Sequence, residues 1–87
     1  MRLDKYLQDS RLVKRRALAR TLCDLGRVKV NAHPAKASKQ VQVGDLVEID
    51  FGSHRIVVRI TAMRTSPRGP VVPLYEVVER AKADQPW

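Results

Sequence analysis

Cysteine is almost missing from this chain: Cys23 stands alone among 87 residues, so no internal disulfide can form. One cysteine and two separated histidines, His33 and His54, offer no C-x-x-C or H-x-x-x-H spacing of the kind that holds zinc. The four glycines, Gly26, Gly44, Gly52 and Gly69, are each isolated, which excludes a glycine-rich phosphate loop. Aromatic residues make up 5% of the chain. The longest apolar runs, such as Ile56-Val57-Val58, are far short of the roughly 20 residues that a membrane-spanning helix needs. Met1 is followed at once by Arg2, Asp4 and Lys5, with no apolar stretch of the secretory kind. Together these absences lead to the expectation of a soluble, cytoplasmic chain without metal or cofactor.

What is there in excess is positive charge. Seventeen Lys and Arg stand against nine Asp and Glu, a formal net charge of +8. Residues 1–20 hold Arg2, Lys5, Arg11, Lys14, Arg15, Arg16 and Arg20 against only Asp4 and Asp9, a net of +5. Residues 21–50 are neutral overall, and residues 51–87 carry +3. Such clustering is the electrostatic footprint of a polyanion binder. No amphipathic helix carries Phe, Leu and Trp on one face, which disfavours a membrane surface and leaves nucleic acid as the leading partner class. At 44% hydrophobic and 30% charged, the chain is apolar enough to fold. A domain of this size buries only about 60–65% of its unfolded surface and has no room for a deep catalytic cavity. The expected organisation is one domain over residues 1–80 and a frayed tail over 81–87.

Hydrophobic periodicity divides the chain into a helical and a β-rich part. Leu3, Tyr6 and Leu7 at i, i+3 and i+4 predict a short helix over about residues 2–9. After a turn at Asp9-Ser10-Arg11, a second helix is expected from residue 12 or 13 to Leu25, with Leu18, Leu22 and Leu25 toward the core and Gly26 as a left-handed cap. Arg16 and Arg20 would then lie away from those leucines. From Gly26 the period changes to two. Strands are expected at 27–31, 46–51, 55–60 and 74–78, with Thr65-Ser66-Pro67-Arg68-Gly69-Pro70 as a loop. Two helices followed by a small antiparallel sheet make an α+β fold.

Catalytic candidates are few. Cys23 lies on the second helix, where a half-buried packing role is expected, and no carboxylate pair has a recognisable acid/base setting. A helix-turn-helix reader of DNA is an alternative, weakened by the short first helix and the lack of a third. For RNA, Arg2, Lys5, Arg11, Lys14, Arg15, Arg16 and Arg20 are the candidate phosphate contacts, arginine's planar fork being well suited to bidentate grip. Asp4 at a helix start either serves the helix dipole or orients a neighbouring arginine. Tyr6, Leu3, Leu7, Leu18 and Leu22 are expected in the core.

The blocks Arg2-Leu3-Asp4-Lys5-Tyr6-Leu7, Ser10-Arg11-Leu12-Val13-Lys14-Arg15-Arg16-Ala17-Leu18-Ala19, Gly26-Arg27-Val28-Lys29-Val30-Asn31 and Val43-Gly44-Asp45-Leu46-Val47 occur in order within residues 1–51. In this the chain resembles the S-four RNA-binding domain, named after ribosomal small-subunit protein four. The resemblance implies two helices packed on a small sheet, with RNA lying along the helix pair and the adjoining loop. A chain of this length is similar to two stand-alone types, both acting on large ribosomal subunits left with a stalled nascent chain. The first serves ribosome-associated quality control, and the second is the heat-shock protein fifteen type of recycling factor. The opening blocks are closer to the first, for the second usually carries early aromatic residues and a long basic C-terminal extension.

The first type implies binding to large-subunit ribosomal RNA and P-site peptidyl-tRNA, with RqcH, a NEMF-family factor, as partner in alanine tailing. On that resemblance Arg2 and Arg16 fall where the family faces ribosomal RNA and tRNA. One departure is Val30-Asn31-Ala32, where the family usually has Val-Asn-Gly. A turn with φ > 0 at both central residues would be strained with Ala32, so a different loop geometry is expected there. RNA contact by that loop is therefore left open, and Lys36 and Lys39, just beyond it, could still reach a phosphate.

Overall fold

A computed structural model describes residues 1–63 and 73–82. Two helices, α1 (Leu3–Asp9) and α2 (Arg16–Asp24), precede five strands. These are β1 (Val28–Val30), β2 (His33–Pro34), β3 (Leu46–Asp50), β4 (His54–Ile60) and β5 (Tyr75–Lys82). All neighbours pair antiparallel in the order β2-β1-β3-β4-β5. The expected α+β architecture is therefore present. The expected loop at 65–70 and the last five residues lie outside the described segments.

The apolar spacing of α1 brings Leu3, Tyr6 and Leu7 to one side, and none of the three retains solvent exposure. Arg2, its N-cap residue, supplies no side-chain cap. Instead the helix start docks on the loop before β3: the Leu3 N–H donates to the Lys39 carbonyl at 2.8 Å and the Asp4 N–H to the Ala37 carbonyl at 3.1 Å. Two donors that a helix leaves unpaired are satisfied this way. From the next turn of α1 the Tyr6 hydroxyl donates to the Leu74 carbonyl at 2.7 Å, joining α1 to the entry of β5. Burial, and then Tyr75, push that hydroxyl's pKa upward.

The second helix differs from its expectation in start and in orientation. It begins at Arg16, because Arg11 takes a left-handed φ of 64° and the chain folds back. The Val13 N–H reaches the Leu7 carbonyl at 3.1 Å, and Ser10 Oγ donates to the same carbonyl at 3.1 Å. Val13 thus enters the core from a turn and not from a helix. The buried stripe of α2 is Ala19, Leu22 and Cys23, while Leu18 is 48% and Leu25 63% exposed. Leu18 is accordingly not a core residue. The stripe follows i, i+3, i+4 as a helix packed on α1 and β1 requires, but it is rotated from the leucine repeat. This rotation turns Arg16 and Arg20 toward α1. Gly26 has φ +74°, and the Arg27 N–H closes the helix end onto the Leu22 carbonyl at 2.9 Å, a Schellman-type ending.

Burial alternates along β1, β3 and, from Ile56 onward, β4, whereas Glu76 to Arg80 of β5 are all exposed. Val28, Val30, Val47, Ile49, Ile56, Val58 and Ile60 are buried beneath the helices. On the other face Lys29, Glu48, Arg55 and Glu79 form a neutral cross-strand ladder, with ion-pair distances of 3.7, 4.0 and 3.4 Å. Val30 pairs with His33, so Asn31-Ala32 is a two-residue hairpin loop with φ 52° and 72°. The geometry thought too strained for Ala32 is the one adopted. Asn31 explains why: its N–H donates to the Leu46 carbonyl at 2.8 Å, its Oδ1 accepts from the Leu46 N–H at 3.0 Å, and its Nδ2 donates to Asp45 at 3.2 Å. These bonds to β3 outweigh a left-handed alanine, which costs about 1 kcal/mol. β5 is longer than expected and includes Ala81 and Lys82, since Arg55 and His54 of β4 pair with them.

Candidate RNA-binding site

The helix pair converges on Asp4. Its carboxylate has no solvent exposure and accepts from three arginines, Arg16 and Arg20 on α2 and Arg2 at the cap of α1. Arg2 donates from Nε at 3.2 Å and Nη2 at 3.4 Å, Arg16 from Nε at 3.1 Å and Nη2 at 3.4 Å, and Arg20 from Nε at 3.1 Å. The Lys5 N–H adds a sixth donor at 2.8 Å. Burial by itself would raise the carboxyl pKa. The hydrogen bonds from Arg16, Arg20 and Arg2, with that of Lys5, outweigh it and bring the value from 3.8 down to about 2.

One negative charge thus gathers three positive ones, and the cluster carries +2. Each guanidinium is held by its Nε edge, which leaves Nη1 of Arg2 and Arg16 and both Nη atoms of Arg20 without a hydrogen bond among the described residues. The three side chains remain 45, 34 and 55% exposed. Fixed, outward N–H groups with surplus charge are what bidentate phosphate recognition needs, and holding them in place beforehand reduces the ordering cost of binding.

Three of the seven candidate contacts are therefore brought together. The other four are not. Lys5 pairs with Asp9 at 3.4 Å one turn along α1. Lys14 and Arg15 are exposed just before α2 and make no ion pair among the described residues. Arg11 sits beyond the C-terminal end of α1, in a groove with Phe51, His54 and Tyr75. Arg16 and Arg20, expected on the side away from Leu18, Leu22 and Leu25, stay outside the apolar core and lean across the helix pair to Asp4. The hub itself was absent from the candidate set, although the orienting role considered for Asp4 is the one the geometry shows. Its signal was the placement of an acidic residue directly between Arg2 and Lys5 at the head of the cationic segment.

Cys23 is 6% exposed. Burial, with the nearby negative charges of Asp4 and Asp24, pushes its thiol up to about 11. It is protonated at neutral pH and is not an activated nucleophile. Among the described residues there is no group of three or more His, Cys, Asp or Glu placed to hold a metal ion, and no helix long and apolar enough to cross a membrane.

The chain belongs to the S4 domain family, whose model matches residues 1–47. It is 40% identical over 86 residues to the RQC P-site tRNA stabilizing factor of Streptococcus pneumoniae, covering 98% of both chains. With the protein of the same name from Halalkalibacterium halodurans the identity is 46% over 78 residues, 88% of this chain and 89% of that one. Among solved structures, the trimeric heat shock protein 15 of Vibrio cholerae superposes with a TM-score of 0.74 at 32% identity, covering 90% of this chain and 81% of that one.

Proposed function

We propose that this chain is a non-catalytic RNA-binding factor of ribosome-associated quality control, of the protein P type. It would bind stalled large ribosomal subunits and hold the P-site peptidyl-tRNA there while RqcH extends the nascent chain with alanine. The observation that carries this reading is the Asp4-centred cluster: Arg2, Arg16 and Arg20 are presented side by side with a net charge of +2. Two phosphate backbones, one of ribosomal RNA and one of tRNA, can share three guanidiniums fixed on one carboxylate, whereas one phosphate alone leaves positive charge unsatisfied. End-to-end similarity to P-site tRNA stabilizing factors supports that choice of RNA. In this arrangement Lys5, Lys14 and Arg15 add screened charge around the cluster.

The test is co-sedimentation with large subunits, with and without a trapped peptidyl-tRNA, at near-physiological salt. Retention on the peptidyl-tRNA complex, lost in Arg2→Ala/Arg16→Ala, is the expected result. Equal, salt-sensitive binding to small subunits and whole ribosomes would reduce the chain to a general RNA-binding module. The second reading, a recycling factor of the heat-shock type, is favoured by the shared fold. It predicts retention on the subunit without co-purifying RqcH.

A further inference from the structure

A second surface fits RNA by different chemistry. Where the 10–15 turn meets the sheet, Arg11, Leu12, Phe51, His54, Tyr75 and Arg80 line a groove of about 340 Å³, with Ile56 at its floor. Arg11 lies past one end of α1 and Arg2 caps the other, so the groove is roughly 10 Å, one short helix, from the arginine cluster. Phe51 and His54 stack at 4.8 Å between ring centroids with 23° between planes. The turn between them is closed by the Phe51 N–H donating to the His54 carbonyl at 2.9 Å, and Gly52 supplies φ +90°. No carboxylate lines the groove, and neither Arg11 nor Arg80 forms an ion pair among the described residues. Arg11 is held at the mouth in a left-handed conformation that a non-glycine residue adopts at a cost of about 1 kcal/mol.

We propose that this groove is a subsite for one unstacked nucleobase of a single-stranded RNA segment. The base lies on the aromatic ledge, and Arg11 and Arg80 contact the phosphates on either side. Aromatic rings next to unpaired arginines are the combination that single-stranded nucleic acid selects, because a base supplies the flat face and its backbone the charge. A duplex hides its base faces, and an acidic peptide offers charge but no ring. The proposal rests on the RNA-binding reading above, but it concerns residues outside the arginine cluster and extends the footprint toward β5.

The experiment is fluorescence anisotropy of the full chain with a labelled hexanucleotide RNA and with a duplex of the same length. Arg80→Gln and Phe51→Leu should each weaken the single strand about five- to tenfold and leave duplex binding within twofold. Arg80 is exposed, so Arg80→Gln keeps the test valid if Phe51→Leu unfolds. Ultraviolet cross-linking on the assembled subunit complex should add nucleotide mass to a peptide containing Phe51, His54 or Tyr75. Unchanged hexanucleotide affinity in both variants overturns the proposal, as does equal loss of duplex binding, which would make the groove a charged surface only. Failure of the tRNA reading is seen separately, in the co-sedimentation of Arg2→Ala/Arg16→Ala.

Discussion

Asp4 is charged and buried, a combination that is costly unless the charge is fully hydrogen-bonded. Six donors meet that condition here, and the stability they supply depends on pH. The folded-state pKa of about 2 lies below the ordinary 3.8, so ionised Asp4 contributes about 2 kcal/mol above pH 4, lost as pH falls toward 2. Urea denaturation at pH 7, 4 and 2.5 should show that loss, and in Asp4→Asn the corresponding step should vanish. Arg16 has a double role. Arg16→Ala removes two charge-assisted bonds to a buried carboxylate and should lower stability by about 1–3 kcal/mol. If Arg16 also meets one phosphate, the log–log salt slope of subunit binding becomes shallower by about one. A stable Arg16→Ala with an unchanged slope would remove it from both roles.

At the scale of the element, the β1–β2 hairpin is locally unfavourable and globally satisfied. Ala32 with φ 72° opposes its own backbone preference, while Asn31 ties the loop to Leu46 and Asp45. Ala32→Gly should stabilise the domain by about 0.5–1 kcal/mol in thermal or urea unfolding, the release of left-handed strain outweighing glycine's larger unfolded-state entropy. A destabilised Ala32→Gly would show that the turn is not strained. The second helix makes the complementary point. Its leucines follow a helical repeat, but Ala19 and Cys23 are the residues small enough to let α2 approach α1, and the approach carries Arg16 and Arg20 to Asp4.

Across the whole molecule, charge is segregated by layer. The outer sheet face pairs Lys29, Glu48, Arg55 and Glu79 among themselves, and such exposed pairs contribute little stability. The helix face keeps its surplus, so polyanions are attracted to one side only. Lys29→Ala, on the outer face, should therefore change subunit affinity by less than about twofold. A loss as large as that of Arg20→Ala would place RNA on the sheet as well and overturn the one-sided view.

The sequence by itself determined the α+β class, the buried face of α1 and the polyanion-binding character. Each rests on near-neighbour periodicity or on composition, as with Leu3, Tyr6 and Leu7 or the seven cations before residue 21. Gly26 was legible for the same reason, since a helix end needs a left-handed residue whatever lies around it. Only the tertiary structure decided the rotation of α2, the late start of that helix after Arg11, and the adoption of the Asn31-Ala32 turn. It also decided that Asp4 collects Arg2, Arg16 and Arg20, residues up to 16 positions away in sequence. Each of these depends on where a second element sits, and packing against that element overrides preferences that are worth about 1 kcal/mol locally.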